Sequence, residues 1–199
     1  MYSTKTATVA FESNYMPVGI NENITLKEVN VNKSPQGKDF LEFVFENESG
    51  QTATMTEWKN EKNTWIVTDD DLQSADNRQF GRILQILDAV KGGHNDFEGS
   101  SFAEMINWTK AQFADGDSDK VRLKVVFDKK GYTQVSKNGI FIESMSIPKE
   151  DSQIKLWKND LLERPVKADV EKPNDPLAGN STPVTESAST GTGADDLPF

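Results

Sequence analysis

Residues 19–31 read GINENITLKEVNV, and this stretch decides the fold. Apolar side chains alternate with polar ones from Ile24 to Leu26 and again from Val29, with a slip of one position near Glu28. Alternation of this kind predicts a half-buried strand, and a single slip within it indicates a β-bulge or a strong bend. We therefore expect a long, bent first strand, which both halves of a closed barrel can share.

Two shorter strands follow the first one. The turn-forming cluster at 32–38 precedes an alternating strand at 40–46. Residues 47–50 read NESG, a hairpin turn, and the Thr-rich stretch at 51–58 is typical of a third strand. The first part of the chain is thus predicted to be a three-stranded meander.

Helical spacing then replaces the alternation. Apolar residues recur every three or four positions over residues 80–90, with Asp76 or Asn77 as the cap that begins the helix. A second amphipathic stretch covers residues 101–113. Together these patterns predict a helical insert at about residues 76–115.

Strand patterns return after the insert. Residues 121–127 alternate, residues 128–131 form a turn, and a short strand follows at 132–135. We expect the last strand at 140–147 and a closing helix at 155–162.

This order of elements predicts a mainly β fold with a helical insert. Three strands, helices and two further strands match a five-stranded Greek-key barrel of the OB type, with its helical element between the third and fourth strands. We assign the barrel domain to residues 16–164. Residues 1–15 are rich in Thr and Ser and are expected to be a flexible arm or an edge strand.

The composition changes at residue 165. Residues 165–199 are rich in Pro, Gly, Ser and Thr and hold six acids against two bases, a net charge of −4. Such a segment cannot bury enough apolar surface to offset its ordering entropy, so we predict a disordered acidic tail. The end of the tail breaks this pattern, because two acids precede an apolar trio: Asp195, Asp196, Leu197, Pro198 and Phe199.

Composition excludes several kinds of site. The 199 residues include no Cys and one His, so disulfides, a Cys nucleophile and a Cys/His zinc site are excluded, and no cofactor is expected. We see neither a membrane-spanning apolar run nor a leader pattern, and we expect a cytoplasmic protein. The net charge of −10 taken alone argues against a nucleic-acid partner, but the charges are unevenly placed.

Cations and aromatic rings are interleaved along the predicted strands and loops. Cations can follow phosphates while rings stack on unpaired bases, and OB-fold ligands lie across the second and third strands. Arg122 and Lys124 alternate with apolar residues and are expected to point outward. Core packing or a solvated strand face explains any one of these residues as well, but their grouping favours binding. The predicted single-strand contacts are Lys33, Lys38, Phe40, Trp58, Lys59, Lys62, Trp65, Arg122, Lys124, Lys129, Lys130, Tyr132 and Lys137.

The acidic tail suggests two interactions. A tethered anion can compete with nucleic acid for a cationic groove, and added salt should weaken that competition. The apolar end of the tail can also dock into a hydrophobic pocket of a protein partner, while Asp195, Asp196 and the terminal carboxylate meet basic residues.

The ending Asp195-Asp196-Leu197-Pro198-Phe199 resembles the Asp-Asp-Asp-Ile-Pro-Phe tip of bacterial single-stranded DNA-binding proteins. The layout of barrel, linker and acidic tip is similar to that of the bacteriophage proteins of this class, and the helical insert favours the phage form over the bacterial tetramer. The resemblance implies binding and protection of single-stranded DNA in replication, recombination and repair. It also implies recruitment of a polymerase, primase-helicase or recombinase loader through the tip, and it is compatible with a homo-oligomer.

Two other functions remain open from the sequence. Asp69, Asp70 and Asp71 could bind a divalent metal for phosphoryl transfer, as in a nuclease, although consecutive side chains rarely converge on one ion. A virion or protein-only interaction module would have no affinity for DNA. A non-enzymatic single-stranded DNA-binding module is the leading prediction.

Overall fold

The sequence periodicities become strands and helices in the computed structural model, which describes residues 13–116 and 118–165. The fold of these residues is mainly β, with both helices between the third and fourth strands as predicted. A single 3-10 turn at Lys149–Asp151 follows the last strand. The strands and α-helices in chain order are β1 (Gly19–Lys33), β2 (Asp39–Glu46), β3 (Thr52–Trp58), α1 (Asp69–Lys91), α2 (Phe102–Gln112), β4 (Val121–Phe127), β5 (Thr133–Val135) and β6 (Ile142–Ser144).

The long strand β1 pairs with two different neighbours. Its first half is antiparallel to β4 and its second half to β2, which gives the strand order β3-β2-β1-β4-β5. The register with β2 shifts between Leu26 and Glu28, so the predicted bulge is confirmed. A second register shift, in the pairing of β1 with β4, lies between Asn21 and Ile24. Within it Asn23 has a φ of 58°, which Asn tolerates better than most residues.

The sheet is open at one seam. Strands β3 and β5 lie near each other, but no ladder of backbone hydrogen bonds joins them in the part of the chain that the structure describes. A closed five-stranded barrel is therefore not confirmed. The cause is the shortness of β5, because the chain leaves the sheet at Ser136 and the side chain of Lys137 then donates to the Thr56 carbonyl.

Strands β5 and β6 follow each other along the same edge of β4. Residues 136–141 loop out between them. The backbone of Lys124 closes this loop, since its N–H donates to the Phe141 carbonyl and its carbonyl accepts from Ser136. The last strand, predicted at 140–147, is consequently limited to the three residues of β6.

The closing helix predicted at 155–162 is not formed. A turn begins at Trp157 instead, where the N–H of Asp160 donates to the Trp157 carbonyl at 2.9 Å. The carbonyl of Lys155, which a helix would bond to an amide four residues later, accepts from the ammonium of Lys124 at 3.1 Å. Side-chain hydrogen bonds of this kind compete with helix formation.

Apolar side chains fill the space between the sheet and the helices. Helix α1 packs against β6, and α2 packs against β1 and β2. Each large side chain buried in this way stabilises the fold by about 1.5–3 kcal/mol. The predicted inward faces of β2 and β4 are confirmed, and the core includes Leu41, Phe43, Phe45, Ile83, Ile86, Leu87, Val121, Leu123 and Val125.

Helix α1 begins earlier than the predicted cap at Asp76 or Asn77. Thr68 is the cap: its hydroxyl accepts from the Asp71 N–H at 3.1 Å, and the Asp71 carboxylate accepts from the Thr68 N–H at 2.9 Å. This reciprocal pair is a capping box, and the hydrogen bonds from Thr68 lower the pKa of Asp71. The first turns carry few apolar residues, so periodicity alone did not find them. The amphipathic stretch predicted at 101–113 is confirmed as helix α2, and the structure shows that Ser101 is its cap.

Replacing the α1 cap by Thr68→Ala should lower the free energy of unfolding by about 1 kcal/mol, because the Asp71 amide loses its acceptor. Urea unfolding followed by circular dichroism measures this loss. Thr64→Ala is the matched control, since Thr64 is an exposed residue of the preceding loop. Equal losses in the two variants would contradict the capping role.

Candidate nucleic-acid interface

Phe40 and Trp58 form a stacked pair on the outer face of the β2–β3 ladder. They are direct register partners, with ring centroids 4.4 Å apart and an interplanar angle of 23°. Alternation turns these two side chains away from the core residue Leu41. Trp58 remains 40% exposed, so part of a large ring face is open to solvent.

Several predicted lysines lie around this pair. The β1–β2 turn meets the loop after β3, because Lys38 forms an ion pair of 2.9 Å with Glu61. Lys33 pairs with Asp39 at 2.7 Å at the same end of the ladder. We call this region the Trp58 surface. It consists of the predicted residues Lys33, Lys38, Phe40 and Trp58 and of the loop after β3, which carries the predicted residues Lys59, Lys62 and Trp65.

Trp65 projects from the loop between β3 and α1. Its side chain is 90% exposed, yet its backbone is held in place. The Asn63 side-chain oxygen accepts from the N–H groups of Trp65 at 2.8 Å and Ile66 at 3.2 Å. An ordered backbone that presents a free indole can contact a flat ligand.

The lysines of the Trp58 surface are available to another anion. Lys62 pairs with Asp69 at 2.6 Å, and this pair, like those of Lys33 and Lys38, is exposed to solvent. Exposed ion pairs contribute little to stability, so exchanging a carboxylate for a phosphate costs little. Lys59 has no carboxylate within ion-pair distance among the described residues.

Arg122 and Lys124 are buried, so the prediction that they point outward is wrong. Arg122 binds the carboxylates of Glu143 and Glu22, the latter at 3.3 Å. Lys124 is 0% exposed and binds Asp160 at 3.0 Å. The physical reason is that the chain after β5 covers the polar face of β4, which leaves both faces of that strand inside.

Within the described residues, Arg122 and Lys124 therefore form no continuous cationic surface with the lysines of the turn between β4 and β5. Buried ion pairs fix their charges inside the fold. Burial disfavours the charged form of Asp160, but hydrogen bonds from the Trp157 N–H, Lys124 and Asn138 outweigh it and lower its pKa. We do not include Arg122 or Lys124 in the interface.

Lys137 joins the chain after β5 to β3. Its ammonium lies 3.5 Å from Glu57, a buried carboxylate that also accepts from Arg82 at 2.8 Å and from Gln79 at 2.9 Å. Burial raises the pKa of Glu57, but the hydrogen bond from Arg82 and the charge of Lys137 outweigh it, so the net direction is down. Burial also lowers the pKa of Lys137, which acts here as a structural cation.

The β4–β5 turn presents the other predicted residues. The Asp128 carboxylate accepts from the N–H groups of Lys130 and Tyr132, both at 2.8 Å, which fixes the turn. Tyr132 is 65% exposed. Neither Lys129 nor Lys130 has a carboxylate within ion-pair distance among the described residues.

Sequence reasoning missed several residues near the end of the described chain. Trp157 is 54% exposed. The guanidinium of Arg164 lies 5.6 Å from the ring centroid of Phe127. The sequence does carry a signal for them, because Lys155 and Lys158 flank Trp157 in the same interleaved pattern of cations and rings as the other candidates.

The acid cluster at the start of α1 does not form a metal site. Asp71 caps the helix and Asp69 pairs with Lys62, so the three side chains do not converge. No group of three or more His, Asp or Glu side chains in the described ranges could hold a metal ion. The nuclease alternative therefore gains no support.

A groove of about 760 Å³ lies between the first turns of α1 and the segment before α2. Phe97 and Phe102 line it, but so do Asp69, Asp76 and Glu98. Lys59 of the Trp58 surface also lines the groove. Because the carboxylates on its walls repel phosphates, the rest of the groove is not part of the candidate interface.

Some predictions fall outside the described residues. These are the arm up to residue 12 and the tail from residue 166, including its tip at residues 195–199. Within the described ranges, neither helix combines the length and the apolar content needed to cross a lipid bilayer.

Comparison with known proteins adds no family assignment. No family model matches the chain, and no curated protein matches it.

Removing the buried ammonium by Lys124→Met should lower the free energy of unfolding by about 3–5 kcal/mol, because Asp160 stays buried without its cation. Chemical denaturation measures the loss. Adding Asp160→Asn removes the stranded charge but keeps an acceptor for the Trp157 amide, and the double variant should recover part of the stability. Lys27→Met is the control, since Lys27 belongs to an exposed pair with Glu46 and should have little effect. A similar loss in both single variants would contradict this assignment.

Acid should destabilise the fold. The pKa values of Glu57, Glu143 and Asp160 are lowered in the folded state, so their contribution is complete above the ordinary carboxyl pKa. It is lost as the pH falls through the lower folded-state values, below about pH 4. Urea midpoints at pH 7, 5 and 3 measure this loss, and Asp160→Asn should make the decrease smaller. A midpoint that stays constant down to pH 3 would argue against it.

Proposed function

We propose that this chain is a non-enzymatic protein that binds and protects single-stranded DNA without sequence preference. The observation that carries the proposal is the stack of half-buried Phe40 and exposed Trp58 beside lysines on the outer face of β2 and β3. Neither ring belongs to the core cluster. They provide a platform on which unpaired bases can stack.

The strand order supports an OB-type fold. Strand β1 pairs with both β2 and β4, the helices lie between β3 and β4, and β3 and β5 are the edges that closure would join. Ligands of this fold lie across the second and third strands. Phe40 and Trp58 are on those strands, so the fold and the ring platform support the same ligand class.

The chemistry of the Trp58 surface favours binding without sequence preference. Stacking on an aromatic ring is worth about 1–3 kcal/mol per base, and every base has a ring face. Lysines follow the backbone phosphates, which are the same in every sequence. The weak ion pairs of Lys33, Lys38 and Lys62 let these ammonium groups change partners.

The tail supports a role in DNA replication, recombination and repair. Its ending resembles the partner-binding tip of single-stranded DNA-binding proteins, and we propose that it recruits a replication or recombination enzyme. The setting we propose is the cytoplasm of a bacterium or of a phage-infected cell. This part of the proposal rests on the resemblance.

Phe40→Ala and Trp58→Ala should each weaken binding of a fluorescein-labelled oligo-dT by about 5- to 150-fold, as expected from the loss of one stacked base. Fluorescence anisotropy over a series of salt concentrations measures the affinity. Tyr15→Ala is the matched control, because Tyr15 is an exposed ring that bridges to Thr52, about 20 Å away at the other end of β3.

Three results would contradict the proposal. Wild-type protein that does not bind oligo-dT at low salt would favour a protein-only module. Equal weakening by Tyr15→Ala and Trp58→Ala would show that the ring platform is not the contact. Cleavage of the oligonucleotide in magnesium or manganese would favour the nuclease alternative.

A further inference from the structure

The cations of the described chain differ in whether a carboxylate neutralises them. The lysines of the Trp58 surface are mostly ion-paired, whereas the β4–β5 turn and the segment after β6 hold cations with no carboxylate within ion-pair distance among the described residues. Cations without an ion pair are therefore more numerous in these two segments than on the Trp58 surface, where Lys59 is the one such lysine among the described residues. These cations of the two segments are Lys129, Lys130, Lys155, Lys158 and Arg164.

The segment after β6 and the β4–β5 turn are neighbours. The N–H of Phe127, at the end of β4, donates to the Leu161 carbonyl at 2.8 Å. Arg164 lies over the Phe127 ring, and a Cβ built on Gly131 would be 3.0 Å from the Arg164 side chain. We call this region the Trp157 surface; it consists of Tyr132, Trp157 and the five cations named above.

A buried ion pair fixes the backbone on which Trp157 stands. The ammonium of Lys124 donates to the carbonyls of Lys155 at 3.1 Å and Asn138 at 3.0 Å, and to Asp160 at 3.0 Å. The same Asp160 oxygen accepts from the Trp157 N–H at 2.8 Å. These hydrogen bonds fix the backbone that carries the exposed indole of Trp157 and its two flanking lysines.

The stability of the fold alone does not explain why a buried Lys124–Asp160 pair supports this segment. A buried ion pair often stabilises a fold no better than apolar residues of similar size would. Here the pair positions a segment whose ring remains half exposed. Fixing an exposed ring in advance lowers the entropy cost of ligand binding.

We propose that the Trp157 surface is a second contact for the single strand. Trp157 stacks on a base, Lys155 and Lys158 contact phosphates, and Lys124 and Asp160 are positioning residues. This inference rests on the proposed function and extends it to a part of the chain that follows β6.

The charge favours nucleic acid over a protein as the occupant. Leu156, Leu161 and Leu162 are also exposed, and apolar residues of this kind occur in protein interfaces. The core of a protein interface is depleted in lysine, however, whereas lysines stand on both sides of Trp157. Uncompensated cations next to a ring suit a polyanion whose bases are unpaired.

The test measures oligo-dT affinity and its salt dependence in the full-length chain. Trp157→Ala should weaken binding by about 5- to 150-fold, and Trp157→Phe, which keeps a ring, should recover most of the affinity. The double change Lys155→Gln and Lys158→Gln should reduce the slope of log K against log salt by about 1.4, at 0.7 for each phosphate contact on a single strand. The matched control is Arg78→Gln with Lys110→Gln, which removes two helix cations that also lack an ion pair in the described chain and should leave the slope unchanged.

The outcomes separate this inference from the proposed function. If Trp58→Ala weakens binding while Trp157→Ala and the double lysine change do not, the Trp157 surface is not a contact and the proposed function stands. If the wild-type chain does not bind oligo-dT, both the proposed function and the contact at the Trp157 surface are wrong. If Trp157→Ala abolishes self-association in sedimentation experiments but leaves DNA affinity intact, the surface is a protein contact and the inference is overturned. Thermal melting of each variant checks that it is folded.

Discussion

The fold depends on one strand that pairs with two partners. The register shifts of β1 let its first half pair with β4 and its second half with β2. Without these register shifts, the alternating apolar side chains of β1 would all lie on one face of a regular strand. The two halves of the sheet could then not both direct their apolar side chains toward the same core. The positions of the Trp58 surface and of the β4–β5 turn both follow from this shared strand.

Carboxylates form ion pairs with most of the cations in the described part of this acidic chain. Some pairs are buried and rigid, such as Lys124 with Asp160 and Arg82 with Glu57. Others are exposed and exchangeable, such as Lys38 with Glu61. A basic footprint is therefore not visible in the net charge of −10, and it can arise only where carboxylates are missing or easily displaced.

Local patterns of apolar residues predicted the strands and most of the helices. The predictions that were wrong concern positions where contacts between residues distant in sequence determine the structure. Alternation identified the bulge in β1 and the buried faces of β2 and β4. It also assigned Arg122 and Lys124 to the correct face of β4, but a period of two cannot say what covers that face. The amphipathic pattern at 155–162 failed for the same reason, since the Lys124 ammonium takes the carbonyl that a helix requires. The interleaving of cations and rings selected both Phe40 and Trp58, whereas their stacking and the exposure of Trp157 required the tertiary fold.

The placement of the tryptophans has an optical consequence. Trp58, Trp65 and Trp157 are exposed to water in the folded chain, although Phe40 covers one side of Trp58. Trp108 is the tryptophan that packs against the core, in contact with Phe80 and Phe97. The native emission spectrum should therefore resemble that of hydrated indole, with a maximum far to the red for a folded protein. Denaturation will shift that maximum only slightly, whereas a quencher dissolved in the buffer will reach most of the fluorophores before the chain unfolds.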